Sequence, residues 1–140
     1  MTEILEEDFY MIKIKRLAVV LLTVFMVTVT TVSVKASSSA QGGVGGYTVY
    51  GYSYISATNA YGTTYSATYN PDIYVTVSAT YNCVNPLTLD TKTFTGALSG
   101  SSSVTKSFTA PDGYRSVSIY CGNSASLNGQ TWSATTSATY

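Results

Sequence analysis

The stretch Ile73-Tyr74-Val75-Thr76-Val77-Ser78-Ala79-Thr80-Tyr81-Asn82-Cys83 decides the fold class. Ile73, Val75, Val77, Ala79, Tyr81 and Cys83 fall on one side of an extended chain, and Tyr74, Thr76, Ser78, Thr80 and Asn82 fall on the other. Side chains alternate across a strand with a period of two, so this separation predicts a strand with one buried and one wetted face. The odd-numbered face is the expected core.

The same alternation recurs on both sides of that strand. From Tyr47 to Ile55, the residues Thr48, Tyr50, Tyr52 and Tyr54 alternate with Tyr47, Val49, Gly51, Ser53 and Ile55. Asn59 to Gly62 has the composition of a turn, and Thr63 to Tyr69 follows as a strand that stops at Asn70-Pro71-Asp72, where proline cannot donate to a ladder. Beyond Asn85-Pro86, Leu87, Leu89 and then Thr91 to Thr95 are expected to form a strand, Gly96 to Ser103 a loop, and Val104 to Thr109 another strand. Ala110-Pro111-Asp112-Gly113 has the residues of a short hairpin turn, with the return strand carrying Val117, Ile119 and Cys121 on its core face. Asn128-Gly129 is a turn dipeptide. The last strand sets Trp132, Ala134, Thr136, Ala138 and Tyr140 against Thr131, Ser133, Thr135, Ser137 and Thr139. No segment carries a sustained helical stripe. The expectation is an all-β, small antiparallel β-sandwich of about seven strands over residues 47–140.

The N-terminal part has a different grammar. Lys13, Lys15 and Arg16 precede an apolar run from Leu17 to about Val29, and Val34-Lys35-Ala36 places small residues where a signal peptidase cuts. Residues 1–36 therefore resemble a signal peptide, with Met11 as the expected start, because Glu3, Glu6, Glu7 and Asp8 do not suit the basic region of such a segment. The alternative is an uncleaved anchor, which would confine membrane contact to this segment. Residues 37–46, rich in serine and glycine, are expected to be a flexible lead-in. A secreted, extracellular location would allow Cys83 and Cys121, both on core faces, to form a disulfide contributing about 2 to 4 kcal/mol. A pair of free buried thiols is the alternative.

Composition narrows the chemistry. The chain has 140 residues with 7 basic and 7 acidic side chains and no histidine. Balanced charge removes the electrostatic basis for binding nucleic acid. Without histidine there is no histidine base, nucleophile–histidine pair or histidine metal site, so no enzyme activity, cofactor or metal is expected. Asp72 and Asp112 sit beside proline and glycine in turns, and Asp90 stands alone.

The candidate binding residues are Tyr50, Tyr52 and Tyr54. Their spacing puts three rings on one strand face over about 13 Å. Phenol rings offer flat apolar area with a hydroxyl handle, which suits sugar rings or a protein surface. The competing role is cover for the sheet or its core. Partners would be an uncharged cell-wall polysaccharide, a surface protein, or further copies of the chain. Rows of hydroxyls at Thr131 to Thr139 and at Thr91, Thr93 and Thr95 are more simply explained by strand propensity than by binding to an ordered solid.

Gly45-Gly46, Tyr50-Gly51 and Ser66-Ala67-Thr68 give part of the chain a resemblance to secreted β-sandwich bacteriocins of the lactococcin kind. The early tryptophan and histidine of that family are absent here. An immunoglobulin-like pattern fails, because Trp132 follows the second cysteine instead of lying between the two. The sequence thus points to a secreted, non-catalytic protein for binding, adhesion or assembly at a bacterial cell surface. The resemblance adds an antibacterial polypeptide as the alternative.

Overall fold

The alternation in the sequence becomes hydrogen-bonded ladders in the computed structural model, which describes residues 36–140. Eight strands run in order: β1 Ala36–Val44, β2 Tyr47–Ile55, β3 Asn59–Ser66, β4 Tyr74–Val84, β5 Thr91–Ser101, β6 Ser103–Thr109, β7 Arg115–Leu127 and β8 Gln130–Thr139. They form two four-stranded antiparallel sheets, ordered β1-β2-β3-β6 and β5-β4-β7-β8. No helix occurs among the described residues. Apart from Ala36, the signal segment expected over residues 1–36 lies outside them.

The odd face of β4 is the centre of the core, as its sequence requires. Ile73, Val75, Val77, Tyr81 and Cys83 are completely buried, and they pack with Val49 and Ile55 of β2 and Ile119 of β7. Tyr81 stacks between Phe94 and Phe108, with ring centroids 6.2 and 5.5 Å away.

The strand beyond the expected seven comes from the segment expected to be a flexible lead-in. Residues 36–44 pair with β2 along their whole length, and Gly45-Gly46 closes the hairpin with φ 56° and 83°. Two consecutive positive φ angles match the twist of the flanking strands, and Asn128-Gly129 repeats the device between β7 and β8 at φ 50° and 79°. Apolar periodicity is missing from β1 because its inward side is small at Ala36, Ser38, Ala40 and Gly42 and carries bulk only at Val44. The bulk comes from across the sandwich. A Cβ on Gly42 would collide with the Trp132 indole, one on Gly51 with the Asn123 amide, and one on Gly62 with the Cys121 sulfur. The register sets Gly42 opposite Val49, Gly51 opposite Thr64, and Gly62 opposite Ser53, so the three glycines descend diagonally across one sheet. Three larger side chains of the other sheet fill that diagonal.

Several local expectations change. Leu87 and Leu89, expected to open the strand that continues as β5, lie exposed before it, with Leu89 at φ 62°. Asn59 to Gly62 is part of β3, and the turn lies earlier, where the Ser56 amide donates to the Asn59 carbonyl at 2.8 Å. The loop expected over Gly96 to Ser103 is mostly strand, because β5 continues to Ser101 and only Ser102 separates it from β6 in the other sheet. Buried Ser102 adopts φ 63°, and it is held from three sides. Its amide donates to Ile73 at 2.8 Å, its carbonyl accepts from Ser66 at 2.8 Å, and its hydroxyl accepts from the Asn70 amide at 3.1 Å. Ala110 to Gly113 is not a hairpin turn either, since β6 and β7 belong to different sheets. Gly113 still supplies the positive φ, at 82°. Val117 leaves the expected core face and is 40% exposed, because a register shift between Asn82 and Cys83 makes it the extra residue of a bulge. Ser116 turns inward instead, and its hydroxyl hydrogen-bonds the Tyr81 hydroxyl at 2.8 Å.

The disulfide expected between Cys83 and Cys121 is absent, and both cysteines are free and buried. The register gives the reason. Cys121 lies opposite Ala79 and Cys83 opposite Ser116, so the two cysteines share one sheet and sit four residues apart along the β4–β7 ladder. That is about 13 Å at the rise of a strand, well beyond the reach of a disulfide. Facing inward showed that each cysteine was buried but not which sheet held it.

Two expectations follow. Neither thiol should react with iodoacetamide in the folded protein and both should react in denaturant; a linked, unreactive pair after denaturation would contradict the register. Burial raises the Cys121 thiol from 9.0 to about 11, with a hydrogen bond to Thr136 opposing the shift. The folded state therefore keeps a proton that the unfolded chain releases. This stabilisation is complete below about pH 9 and disappears as pH rises through about 11. Urea titrations at pH 8 and pH 11 should show the loss, with a smaller slope in Cys121→Ala. Gly62→Ala should destabilise the fold by about 1 to 3 kcal/mol through overpacking, and adding Cys121→Ala should recover part of it in a double-mutant cycle.

Candidate functional site

The outer face of the sheet β1-β2-β3-β6 gathers the tyrosines. Alternation on β2 buries Val49, Gly51, Ser53 and Ile55 and turns Tyr50, Tyr52 and Tyr54 outward, where each is half-buried. β3 adds Tyr61 and Tyr65 to the same face, because the register sets Tyr54 opposite Tyr61 and Tyr50 opposite Tyr65. Directly opposed aromatic pairs stack across antiparallel strands. Tyr50 and Tyr65 stack at 5.2 Å between ring centroids, Tyr54 and Tyr61 at 5.0 Å, and Tyr52 lies tilted at 6.0 Å from Tyr61. The five rings lie on one face as two groups, Tyr50 with Tyr65 and Tyr61 with Tyr52 and Tyr54.

Short polar residues border that layer. Ser37, Ser39 and Gln41 of β1 lie opposite Tyr54, Tyr52 and Tyr50. On the other side, Ser107, Thr105 and Ser103 of β6 lie opposite Tyr61, Thr63 and Tyr65. Thr63 and Thr105 share a hydrogen bond of 2.8 Å between their hydroxyls. None of these residues carries a charge at neutral pH. Burial pushes the Tyr61 phenol above its ordinary value, with its neighbours Tyr52 and Tyr54 adding to the shift.

At one end the layer opens into a hollow of about 360 Å³ lined by Thr63, Tyr65, Ser66, Tyr69, Ser101, Ser102 and Ser103. Tyr69 is 76% exposed and stands on the segment that leaves β3. The three-way hydrogen bonding of Ser102 fixes the floor, and the Ser66 hydroxyl donates to the Thr68 carbonyl at 2.7 Å, which orders the segment before Tyr69. The hollow therefore offers exposed ring area beside several hydroxyls.

The structure thus brings Tyr50, Tyr52 and Tyr54 together on an outward face. Tyr61 joins them as a neighbour that the turn expected over Asn59 to Gly62 hides. The alternation Tyr61, Thr63, Tyr65 was the signal that could have revealed it. The hydroxyl rows of β5 and β8 share one sheet face but lie at its opposite edges, with β4 and β7 between them. Asp90 accepts a hydrogen bond from Thr88 at 2.9 Å, and the Asp72 amide donates to the Asn70 side chain at 3.0 Å, so both lie within turn hydrogen bonding. Among the described residues no cluster of histidine, cysteine, aspartate or glutamate could hold a metal ion.

These features define an all-β protein of two four-stranded sheets whose distinguishing surface is an uncharged tyrosine layer. No family model matches the chain, and neither a curated protein nor a solved structure matches it.

Titration followed by tyrosinate absorbance should place Tyr61 above the ordinary value of 10.0. Tyr61→Phe should remove one late-titrating group from the curve. An unchanged curve would mean that the ring is not covered as described.

Proposed function

We propose that the protein is a non-catalytic binding protein that acts outside the cell and holds uncharged polysaccharide through its tyrosine layer. One observation carries the reading: five rings, ordered by stacking across β2 and β3, form an outward surface bordered only by hydroxyl and amide side chains. Sugars present apolar C–H faces together with hydroxyls, and a surface with the same mixture complements both. The stacking also matters energetically. Rings already fixed by their neighbours lose little freedom when a ligand arrives, so more of the contact energy appears as affinity. The lack of charge favours neutral polymers over phosphorylated or uronic ones, whose anionic groups would lose water without gaining a cation. The hollow beside Tyr65 and Tyr69 is the natural place for a single ring to enter, with the β2 tyrosines extending the contact along the polymer.

Retention on purified cell-wall polysaccharide tests the proposal. At about 0.5 to 1.5 kcal/mol per ring contact, the triple variant Tyr50→Ala, Tyr52→Ala, Tyr54→Ala should lose at least about tenfold in affinity while keeping its fold. Binding should not change between pH 5 and pH 9. Equal retention of the triple variant and the wild type would dismiss this face.

A further inference from the structure

The two sides of the sandwich are protected differently. β5 and β6 form one side, and both carry lysine. The Lys92 ammonium of β5 lies 4.5 Å from the centre of the Tyr114 ring. The Lys106 stem of β6 crosses to β5 and fills the space beside Gly96, where a Cβ would meet it. Lysine on an edge strand hinders pairing with a further strand. β1 and β8 form the opposite side. They meet where the Trp132 indole packs on Gly42 and where the Gly45 amide donates to the Gln130 side chain at 2.8 Å. Neither strand contains a charged residue or a proline. Each pairs with its inner neighbour in unbroken register, with no bulge to twist the edge away. Among the described residues, nothing pairs with the outer edge of either strand.

We infer that the β1 and β8 side binds a second copy of this chain, edge strand against edge strand, around a two-fold axis normal to the sheets. The occupant follows from the chemistry. An unpaired strand edge offers alternating amide and carbonyl groups, and an antiparallel copy of the same strand satisfies them by symmetry, as in an isologous dimer. Because both lysines of the described residues, Lys92 and Lys106, lie on the β5 and β6 side, growth stops at two copies instead of continuing as a fibre. The axis direction also keeps both tyrosine layers on the same face. Dimerisation would therefore place two layers side by side, and a long polymer could contact both.

Sedimentation velocity on the full chain tests this, with a readout independent of whether the polysaccharide reading holds. The wild type should be dimeric at micromolar concentration. Ser39 and Thr135 are exposed near the middle of β1 and β8, so the double variant Ser39→Lys, Thr135→Lys would set each new charge against its own copy across the axis. It should be monomeric, with its dissociation constant raised at least about tenfold and its circular dichroism unchanged. Thr95→Lys on β5 should leave the dimer intact. A monomeric wild type, a dimer that survives the lysine pair, or a dimer dissolved by Thr95→Lys would overturn the inference.

Discussion

The fit between three glycines and three larger side chains holds the two sheets at their working distance. Gly42, Gly51 and Gly62 make a diagonal trough on one inner surface, which Trp132, Asn123 and Cys121 occupy from the other. The middle contact is polar. The Asn123 side chain accepts from the Thr64 hydroxyl at 2.8 Å and donates to the Thr136 hydroxyl at 3.2 Å, so a buried amide links β3, β7 and β8. A buried amide with partners on both sides favours one alignment of the sheets, because sliding would leave its groups unpaired. Pairing small residues with large ones packs the core closely without long aliphatic side chains, of which this chain has few. Ser53 is an exception, a fully buried hydroxyl with no hydrogen-bond partner, on the same inner surface and opposite Gly62.

How much the sequence reveals depends on where bulk resides. β4 is legible because its own side chains alternate between apolar and polar, as do those of β8, whereas β2 is legible as a strand from its period of two but not as to which side is buried. β1 is not, because its inward positions before Val44 are small and the large partner, Trp132, lies about ninety residues away. Gly96 misleads in the same way: it breaks the apparent strand pattern, yet it is needed because a lysine stem crosses there. The burial of both cysteines is legible from their place in alternating strands. Their placement in one sheet depended on the β4–β7 register, which period-two reasoning cannot supply. Val117 shows a further limit, since one bulge reverses the orientation that alternation predicts.

The candidate site was half legible. Tyr50, Tyr52 and Tyr54 could be grouped from spacing alone, but the direction of their face and the second row on β3 required the pairing register. The register also explains why these rings do not collapse into the core. The inward positions beside them are Gly51, whose space Asn123 of the opposite sheet takes, and buried Ser53, while the tyrosines pack on one another outside. Rings packed in this way cover the sheet and remain half-exposed.

The order of the chain imposes a delay on this surface. β1, β2 and β3 are consecutive, but β6, the last strand of their sheet, arrives only after the chain has built β4 and β5 in the other one. Until Thr109 is available, the inner flank of β3 remains unsealed, and three crossings between sheets must close in sequence. Such non-local pairing folds slowly and exposes sticky edges on the way. A nascent or truncated chain ending before β6 would therefore display tyrosines on an incomplete support, and their sheet is complete only once the chain has been made through Thr109.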